Sequence, residues 1–353
     1  MNIRELLLRT EAAERTARVT RGLPPDHLTD FSHFPFAFAL NELAEFDSAA
    51  AAWLANEPET PAAFYFAALS ALAHRDYEKA NQHMDRCASL RRDDGRERMR
   101  FGIKIDPTAM SLPPVYGDYP RESALFICCD AKYFSWFCLP LLKSLAASKT
   151  AMPVHIHLFD AAVEMAVEKL RSIGISASVT WEDPRETIRT LNLPHPALYY
   201  GAVRLIRFTE ALEQSLSSLW ITDVDALVTG DIGRLASIDA PYAMRVRAGR
   251  LEPFHQYSAC LIKGTPASLP YFRATSNIIK ADLPFAWWGL DQYALFSAAV
   301  GYSKNPLLIG PEVASVADHT PGLFWYTAGR AKESLGTATT NYAALYRSFA
   351  KKP

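Results

Sequence analysis

The chain has 353 residues, of which 49% are hydrophobic and 21% are charged, a composition that can bury a core and that excludes wholesale disorder. Lysine plus arginine (37) nearly balances aspartate plus glutamate (38), so no overall charge favours nucleic acid or an anionic membrane as a partner. A chain of this length typically holds two domains.

The first residues, MNIRELLLRTEAAERTARV, are charged and amphipathic. They contain no apolar run long enough for a signal peptide or a transmembrane segment, so a cytoplasmic location is expected. The five cysteines are odd in number and have no zinc-site spacing. We expect them to be reduced and buried.

Residues 1–105 are predicted to form an all-α domain, because apolar residues recur at helical spacing and glycine is scarce. Two similar stretches begin at Leu43 and Leu72, and in each an aromatic and an acidic residue are expected to mark a turn before a helix. Their offset is slightly shorter than the ~34 residues of a tetratricopeptide repeat, which this region resembles. Such helices often bind a protein partner, whereas a plain helical bundle that packs on the neighbouring domain is the alternative.

A proline-rich linker is predicted over residues 106–121, and an α/β domain over residues 122–353. Short apolar runs alternate there with helical patterns. The predicted strands are 124–130, 154–160 and 177–183, followed by a helix over 202–216 and a further strand. This alternation predicts a mostly parallel sheet with ligands at the carboxyl ends of its strands.

The segment LWITDVDALV places Asp223 and Asp225 at the end of an apolar strand. Carboxylates two residues apart on an extended backbone point to opposite faces, so a shared ion requires a turn between them. Bent in this way, they would form an oxygen site for Mg²⁺ or Mn²⁺. Solvated turn residues or helix caps are the alternative, and Asp231 is interpreted as a cap.

Residues in three other segments could belong to the same site. His319 is followed by the turn glycine Gly322, whose loop could supply an imidazole ligand and backbone N–H groups facing phosphate, although an isolated histidine is more often structural. Arg204 could bind a phosphate, or form a salt bridge on the helix surface. Asp291 and Gln292 lie beside two tryptophans, as in a sugar site, although such aromatic residues are more often core.

The order of these motifs resembles glycosyltransferase family 8, a family of retaining enzymes with a GT-A fold. The resemblance runs from about Ala124 to Trp325. Its matching segments are CCDAKYF with Asp130 and Tyr133, YYGAVRL with Arg204, the D-x-D of Asp223 and Asp225, YSACLIKG, Asp291 with Gln292, and His319 with Gly322.

The resemblance implies a GT-A nucleotide-diphospho-sugar transferase domain and a role for each matching residue. These roles are metal ligands for Asp223, Asp225 and His319; contacts to the nucleotide base for Asp130 and Tyr133; contacts to the diphosphate for Arg204 and Gly322; and catalytic positions beside the transferred sugar for Asp291 and Gln292.

The chain departs from the family's pattern at two places. An asparagine is usual before the small residues of the YSAC segment, where this chain has Tyr257. The lysine expected three residues after the glycine is Trp325, so neutralisation of the diphosphate would fall to Arg330, Lys332 or the metal alone.

The predicted function is transfer of a hexose from a nucleotide-sugar, a UDP-sugar, to a glycan, lipid or protein acceptor, with Mn²⁺ or Mg²⁺ and with retention. The alternative is a catalytically weak or inactive nucleotide-binding scaffold whose helical domain docks a protein partner. A sugar nucleotidyltransferase is a third interpretation, but the glycine-rich basic loop expected near its first strand is not present in CCDAKYF. No nucleic acid partner is expected.

Overall fold

The structure is a computed structural model. It describes residues 29–30, 43–74, 76–90, 112–148, 152–160, 163–246, 257–302, 306–310, 312–316, 321–327, 332, 334–338 and 340–350.

A nine-stranded sheet and a three-stranded sheet form the framework of the described α/β region. The strands are β1 (Thr29–Asp30), β2 (Val115–Tyr116), β3 (Ala124–Asp130), β4 (Val154–Phe159), β5 (Ala177–Glu182), β6 (Leu219–Thr222), β7 (Ala226–Val228), β8 (Tyr242–Val246), β9 (Tyr257–Gly264), β10 (Leu307–Ile309), β11 (Ala314–Val316) and β12 (Phe324–Tyr326).

Ten α-helices of six residues or more lie within the described residues. They are α1 (Leu43–Asn56), α2 (Pro61–Ala73), α3 (Tyr77–Leu90), α4 (Leu139–Ala147), α5 (Val163–Ile173), α6 (Arg185–Thr190), α7 (Pro196–Gln214), α8 (Leu269–Asp282), α9 (Leu290–Gly301) and α10 (Asn341–Ala350). A helical turn over Ala131–Tyr133 and a π-helical turn over Phe134–Cys138 lead directly into α4.

The large sheet has the strand order β1-β10-β8-β9-β6-β3-β4-β5-β2. Strands β6, β3, β4 and β5 are neighbours and run parallel, whereas β9 and β2 pair antiparallel at the two sides of this group. The parallel strands are nearly continuous apolar runs because helices cover both faces of such sheets. Strand β4, for example, is buried at every position. The α/β prediction with a mostly parallel sheet is confirmed.

The small sheet has the strand order β11-β12-β7. Its strand β7 is the next strand along the chain after β6. Strand β12 pairs parallel with β11 and antiparallel with β7. The side chains of β7 and β12 belong to the core cluster that also contains the inner face of α4. The chain between β6 and β7 therefore links the two sheets.

Helices α1 to α3 pack in sequence, with the alanine-rich α2 in contact with both of its neighbours. Trp53 of α1 stacks on Phe66 of α2 with ring centroids 5.5 Å apart. Phe46 and Asp47 lie inside α1, so the turn predicted there is wrong, whereas Asp76 does precede α3 and accepts a hydrogen bond from the N–H of Lys79 at 3.0 Å. The helical domain boundaries and the tetratricopeptide resemblance stay predictions.

The last part of the predicted linker pairs with the sheet. Val115 and Tyr116 form the edge strand β2, opposite Thr180 and Val179 of β5. Of the helices that the structure describes, none is at once long enough and apolar enough to cross a membrane.

Candidate active site

Asp223 and Asp225 lie in the bend between β6 and β7, where the chain passes from the large sheet to the small one. The N–H of Asp223 donates to the carbonyl of Cys260 at 2.9 Å, which continues the β6–β9 pairing. The carbonyl of Asp225 accepts hydrogen bonds from the N–H of Thr327 at 3.2 Å and the hydroxyl of Tyr342 at 2.8 Å. The turn predicted between the two carboxylates is confirmed, and the change of sheet is its cause.

Arg204 of α7 connects two of the candidate residues. Its guanidinium donates to Asp223 Oδ1 and to Asp291 Oδ2, the second at 2.7 Å, while its Nε donates to the carbonyl of Gly201 at 3.1 Å. Burial opposes the charged form, but Asp223 and Asp291 raise the pKa of Arg204 above its ordinary value. Arg204 therefore stays protonated, and its ion pairs hold candidate residues together rather than lying on the helix surface.

Asp225 has a second cation, Lys332, as its partner. The Lys332 ammonium pairs with Asp225 Oδ2 and lies 5.8 Å from the centre of the Tyr133 ring. Burial and the charge of Asp223 raise the pKa of Asp225 to about 6. Burial opposes the charged lysine as well, but Asp225 and Asp223 raise the pKa of Lys332. Each carboxylate of the D-x-D thus has its own basic partner.

Asp130 ends β3 and caps the helical segment that follows it. Its Oδ1 accepts a hydrogen bond from the N–H of Tyr133 at 2.7 Å.

Pro140 has no N–H, and its ring crowds the carbonyl of Trp136, which favours the wider π-helical turn at this point. The hydroxyl of Tyr346 in α10 donates to the Trp136 carbonyl instead. Tyr133 is thereby fixed beside the carboxyl end of β3.

Asp291 and Gln292 lie in the first turn of α9, where an acidic residue suits the helix dipole. Asp291 Oδ1 accepts a hydrogen bond from the N–H of Gln292 at 2.8 Å. Gly289 precedes the helix with φ +112°, and a Cβ there would lie 3.0 Å from the ring of Trp287. Trp287 packs against the core, whereas Trp288 is 77% exposed. The core interpretation holds for Trp287, and a sugar contact for Trp288 stays a prediction.

Gly322 uses its backbone groups within the protein. Its N–H donates to Ser315 Oγ at 2.8 Å, and its carbonyl accepts a hydrogen bond from the Thr229 hydroxyl. His319 and Arg330 lie outside the described residues. Within the part of the chain that the structure describes, no cluster of three or more His, Cys, Asp or Glu could hold a metal ion. The three-ligand metal site therefore stays a prediction that depends on His319.

Asp231 forms the cap predicted for it. Its Oδ1 accepts a hydrogen bond from the N–H of Gly233 at 2.9 Å, at the start of a short 3₁₀ helix over Ile232–Leu235. This residue is exposed and six positions beyond Asp225. It is an acidic residue near the D-x-D that caps a helix.

Sequence reasoning missed a polar group at the carboxyl end of β4. Asp160 follows this strand with φ +53° and accepts a hydrogen bond from the hydroxyl of Tyr200 at 2.6 Å. The Tyr200 ring stacks on Phe159 with centroids 4.7 Å apart. The signal was present, because Asp160 ends an apolar strand in the same way as Asp130 ends the neighbouring parallel strand.

A buried ladder of hydrogen-bonded polar side chains on β4 and β5 was also not predicted from the sequence. His155 and His157 of β4 contact Thr180 of β5 at 3.1 and 3.0 Å, and His157 Nε2 lies 3.2 Å from Glu182 Oε1. Arg207 of α7 donates to Glu182 from Nε at 3.2 Å. The alternation of polar residues in VHIHLF and ASVTWE is the sequence signal for it. The ladder ties α7, which carries Arg204, to the parallel strands.

The departure at Trp325 has a structural basis. Trp325 is buried in β12 opposite Leu227, and its ring meets Tyr342 edge-on with centroids 5.3 Å apart. It therefore packs in the core. The lysine that does contact the candidate site is Lys332, seven positions later.

Comparisons with known proteins identify the fold. No protein-family model and no curated protein matches the sequence. Among solved structures, the WbbM bifunctional glycosyltransferase matches with a TM-score of 0.51 and 12% identity over 69% of this chain, but over only 51% of its own length. The galactosyltransferase LgtC, solved with donor and acceptor sugar analogues, matches with a TM-score of 0.50 and 14% identity over 64% of this chain and 95% of its own. This is a glycosyltransferase fold of the GT-A type.

In this chain, the Asp223–Asp225 bend lies where the parallel strand β6 ends, and Arg204 pairs with Asp223 there. At 12% and 14% identity the likeness concerns the fold. The activity is argued from the site residues, because one fold can carry several functions.

Proposed function

We propose that this protein is a metal-dependent glycosyltransferase that moves a hexose from a UDP-sugar to an acceptor with retention of configuration. The GT-A fold and the motif order that resembles glycosyltransferase family 8 support this proposal. The observation that carries it is the pair of ion pairs made by Arg204. They join Asp223 to Asp291, and these carboxylates come from distant parts of the chain that the family resemblance assigns to the metal and to the transferred sugar.

The residues present suit a divalent cation. Two carboxylates at a sharp bend provide the oxygen ligands that Mg²⁺ and Mn²⁺ prefer. The buried Asp225 carries a raised pKa because of burial and Asp223, so positive charge placed beside both would stabilise the site. We propose Asp223, Asp225 and His319 as the ligands. When bound, the ion would neutralise the charge that develops on the departing diphosphate.

The other side chains bind and orient the substrates. Arg204 stays charged beside Asp223 and can donate to phosphate oxygens. Asp291, held by Arg204, provides negative charge for an oxocarbenium-like sugar, and Gln292 is its neighbour in the first turn of α9. Asp130 and Tyr133, at the end of β3, are proposed to contact the nucleotide base.

Retention follows from the family resemblance and has its own test. In the proposed mechanism, the leaving phosphate takes the proton of the acceptor hydroxyl on the same face of the sugar. Proton NMR couplings of the first-formed product would show the anomeric configuration of the donor. An inverted product would exclude this mechanism while leaving sugar transfer intact.

Titration calorimetry with UDP, with and without Mn²⁺, tests the donor site. The comparison is between the wild type, the double variant Asp223→Ala/Asp225→Ala and the control Asp231→Ala, whose carboxylate caps a 3₁₀ helix. We expect Mn²⁺-dependent binding of UDP in the wild type and the control and none in the double variant. Absence of UDP binding in the wild type at any metal concentration would contradict the proposal.

A catalytically weak, nucleotide-binding scaffold is the second candidate function. It is favoured by one specific observation, namely that Trp325 is buried where the family resemblance expects a lysine. Metal-dependent UDP binding together with no hydrolysis or transfer of any UDP-hexose would favour this candidate. Release of UDP from a UDP-hexose by the wild type, lost in Asp291→Asn, would favour the enzyme.

A further inference from the structure

The two cations that face the D-x-D differ in how firmly they are held. Arg204 is fixed on three sides, by Asp223, Asp291 and the carbonyl of Gly201. Lys332 makes an ion pair with Asp225, and its ammonium lies over the ring of Tyr133 at 5.8 Å. The Lys332 side chain is 30% exposed, compared with 18% for Arg204. Lysine also has a long flexible stem, so Lys332 is the cation that can move.

Lys332 and a divalent cation would compete for the same carboxylate. Asp225 is 4% exposed, so few positions are open to a cation around it, and the lysine takes Oδ2. Two positive charges at one buried carboxylate repel each other strongly because water screens them little. Binding of the divalent ion at Asp225 therefore favours displacement of the ammonium.

The position of Lys332 indicates which group its displaced ammonium would contact. It contacts Asp225, from the proposed metal site, and Tyr133, from the proposed nucleotide site. In a nucleotide-sugar, the diphosphate is the group that joins these two parts. A displaced ammonium that remains near Tyr133 would thus meet the diphosphate with its charge unpaired, and phosphate is a strong acceptor for it.

We infer that Lys332 is an exchangeable cation, which neutralises Asp225 in the metal-free protein and passes to the donor's diphosphate when a divalent ion binds. This inference rests on the proposed function for the identity of the donor. Its metal-free half depends only on the contact between Lys332 and Asp225. The exchange keeps a buried carboxylate paired at every stage, which avoids the cost of an isolated buried charge.

The first test measures Mn²⁺ binding without any nucleotide, by the electron paramagnetic resonance signal of free Mn²⁺. The variants are Lys332→Gln, which removes the competing charge, Lys332→Arg, which keeps it, and the control Lys169→Gln, which changes the net charge equally at an exposed position of α5. Removal of a charged hydrogen-bond partner should tighten Mn²⁺ binding about tenfold in Lys332→Gln. Lys169→Gln should match the wild type, and Lys332→Arg should not bind more tightly.

Unchanged or weaker Mn²⁺ binding by Lys332→Gln would overturn the inference, as would no binding by either protein at millimolar Mn²⁺. Binding by Lys332→Gln alone would support it. Thermal unfolding of each variant without metal checks that the chains are folded. If Lys332→Gln is unstable, Lys332→Arg still tests the inference, because it keeps the positive charge and should not bind Mn²⁺ more tightly than the wild type.

The second test measures UDP affinity at saturating Mn²⁺. Lys332→Gln should bind UDP roughly tenfold more weakly than Lys169→Gln, because a charged contact to the diphosphate is lost. Equal UDP affinities would overturn the transfer to diphosphate. Tighter Mn²⁺ binding with weaker UDP binding, but no sugar transfer by the wild type, would sink the proposed enzyme function and leave the exchange intact.

Discussion

Arg204 of α7 donates a hydrogen bond to Asp291 of α9 at 2.7 Å, across 87 positions of sequence. The same guanidinium also reaches Asp223 at the D-x-D bend. A planar group with several N–H donors can serve two carboxylates at once, whereas an ammonium is a single point charge. The arrangement of α9 relative to the bend therefore depends on an arginine at this position.

Replacement of Arg204 by lysine should separate these two carboxylates. We expect transfer activity, measured as kcat/KM with a UDP-hexose, to fall about 100-fold, in the range found when one preorganised donor is lost. Arg273→Lys is the control, since Arg273 is exposed and pairs with Glu213 away from the site. Equal activity of the two variants would show that the double ion pair is dispensable.

His155 should make the stability of the fold depend on pH. Burial and the neighbouring His157 lower the pKa of His155 to about 3, whereas the unfolded chain titrates near 6.5. Between these values the unfolded state binds a proton that the native state does not, so the free energy of unfolding decreases as the pH falls. The slope is at most about 1.4 kcal/mol per pH unit for this group.

Urea unfolding of His155→Gln at pH 6.5 and pH 5 measures that contribution. The wild type should lose about 2 kcal/mol more than the variant between the two pH values. The variant's lower stability at neutral pH, expected from the lost stacking on Tyr119, does not enter this difference. Lys169→Gln, at an exposed position of α5 and with His155 unchanged, should keep the wild-type slope. A wild-type slope in His155→Gln would mean that His155 is protonated in the native state.

Replacement of Gly289 or Gly201 by alanine should change the free energy of unfolding in opposite directions. Gly289 has φ +112°, and its Cβ would press on Trp287, so Gly289→Ala should lower the free energy of unfolding by about 1–3 kcal/mol. Gly201 lies within α7 with open space at its Cβ position, so Gly201→Ala should raise it by roughly 0.5–1 kcal/mol. Thermal or urea unfolding compares them. Destabilisation by Gly201→Ala would contradict the open space at this position of α7, and unchanged stability of Gly289→Ala would contradict the positive φ at the start of α9.

Tyr342→Phe should loosen the D-x-D bend without removing a carboxylate. The Tyr342 hydroxyl is buried and donates to the carbonyl of Asp225, so its loss should cost about 1 kcal/mol of stability. We also expect weaker Mn²⁺ binding, because the bend is less constrained. Tyr302→Phe is the control, since its hydroxyl donates to the Ala267 carbonyl at 3.4 Å rather than to Asp225. Identical Mn²⁺ affinities would show that β12 alone fixes the bend.

Much of the fold could be predicted because its signals are local. The apolar runs at β3 and β4 and the amphipathic pattern of α5, ended by Gly174 at φ +77°, follow from periodicity and turn chemistry. The bend at the D-x-D was predicted on the hypothesis that both carboxylates face one ion, and in the structure it accompanies the passage from one sheet to the other. The turn predicted at Phe46 was wrong because the helix α1 runs through it into four consecutive alanines, which favour helix.

The contacts within the site could not be predicted, because they join residues that are far apart in the sequence. Arg204 was a candidate, but no local pattern shows that it reaches Asp291. Lys332 was one of several candidate cations, and its choice of Asp225 depends on how the segment after β12 packs. The polar ladder depends on the register of His155 opposite Ser178, which no single strand encodes.

The bend between the two sheets takes its contacts from residues far along the chain. Strand β7 pairs with β12, and the carbonyl of Asp225 is held by a tyrosine 117 positions later. Contacts at such separation form slowly compared with local ones. A nascent chain that stops before residue 324 would already contain both aspartates and the parallel strands, yet would lack the partners that shape the bend. The shape of the anionic site therefore depends on β12 and Tyr342, which also belong to the surrounding core.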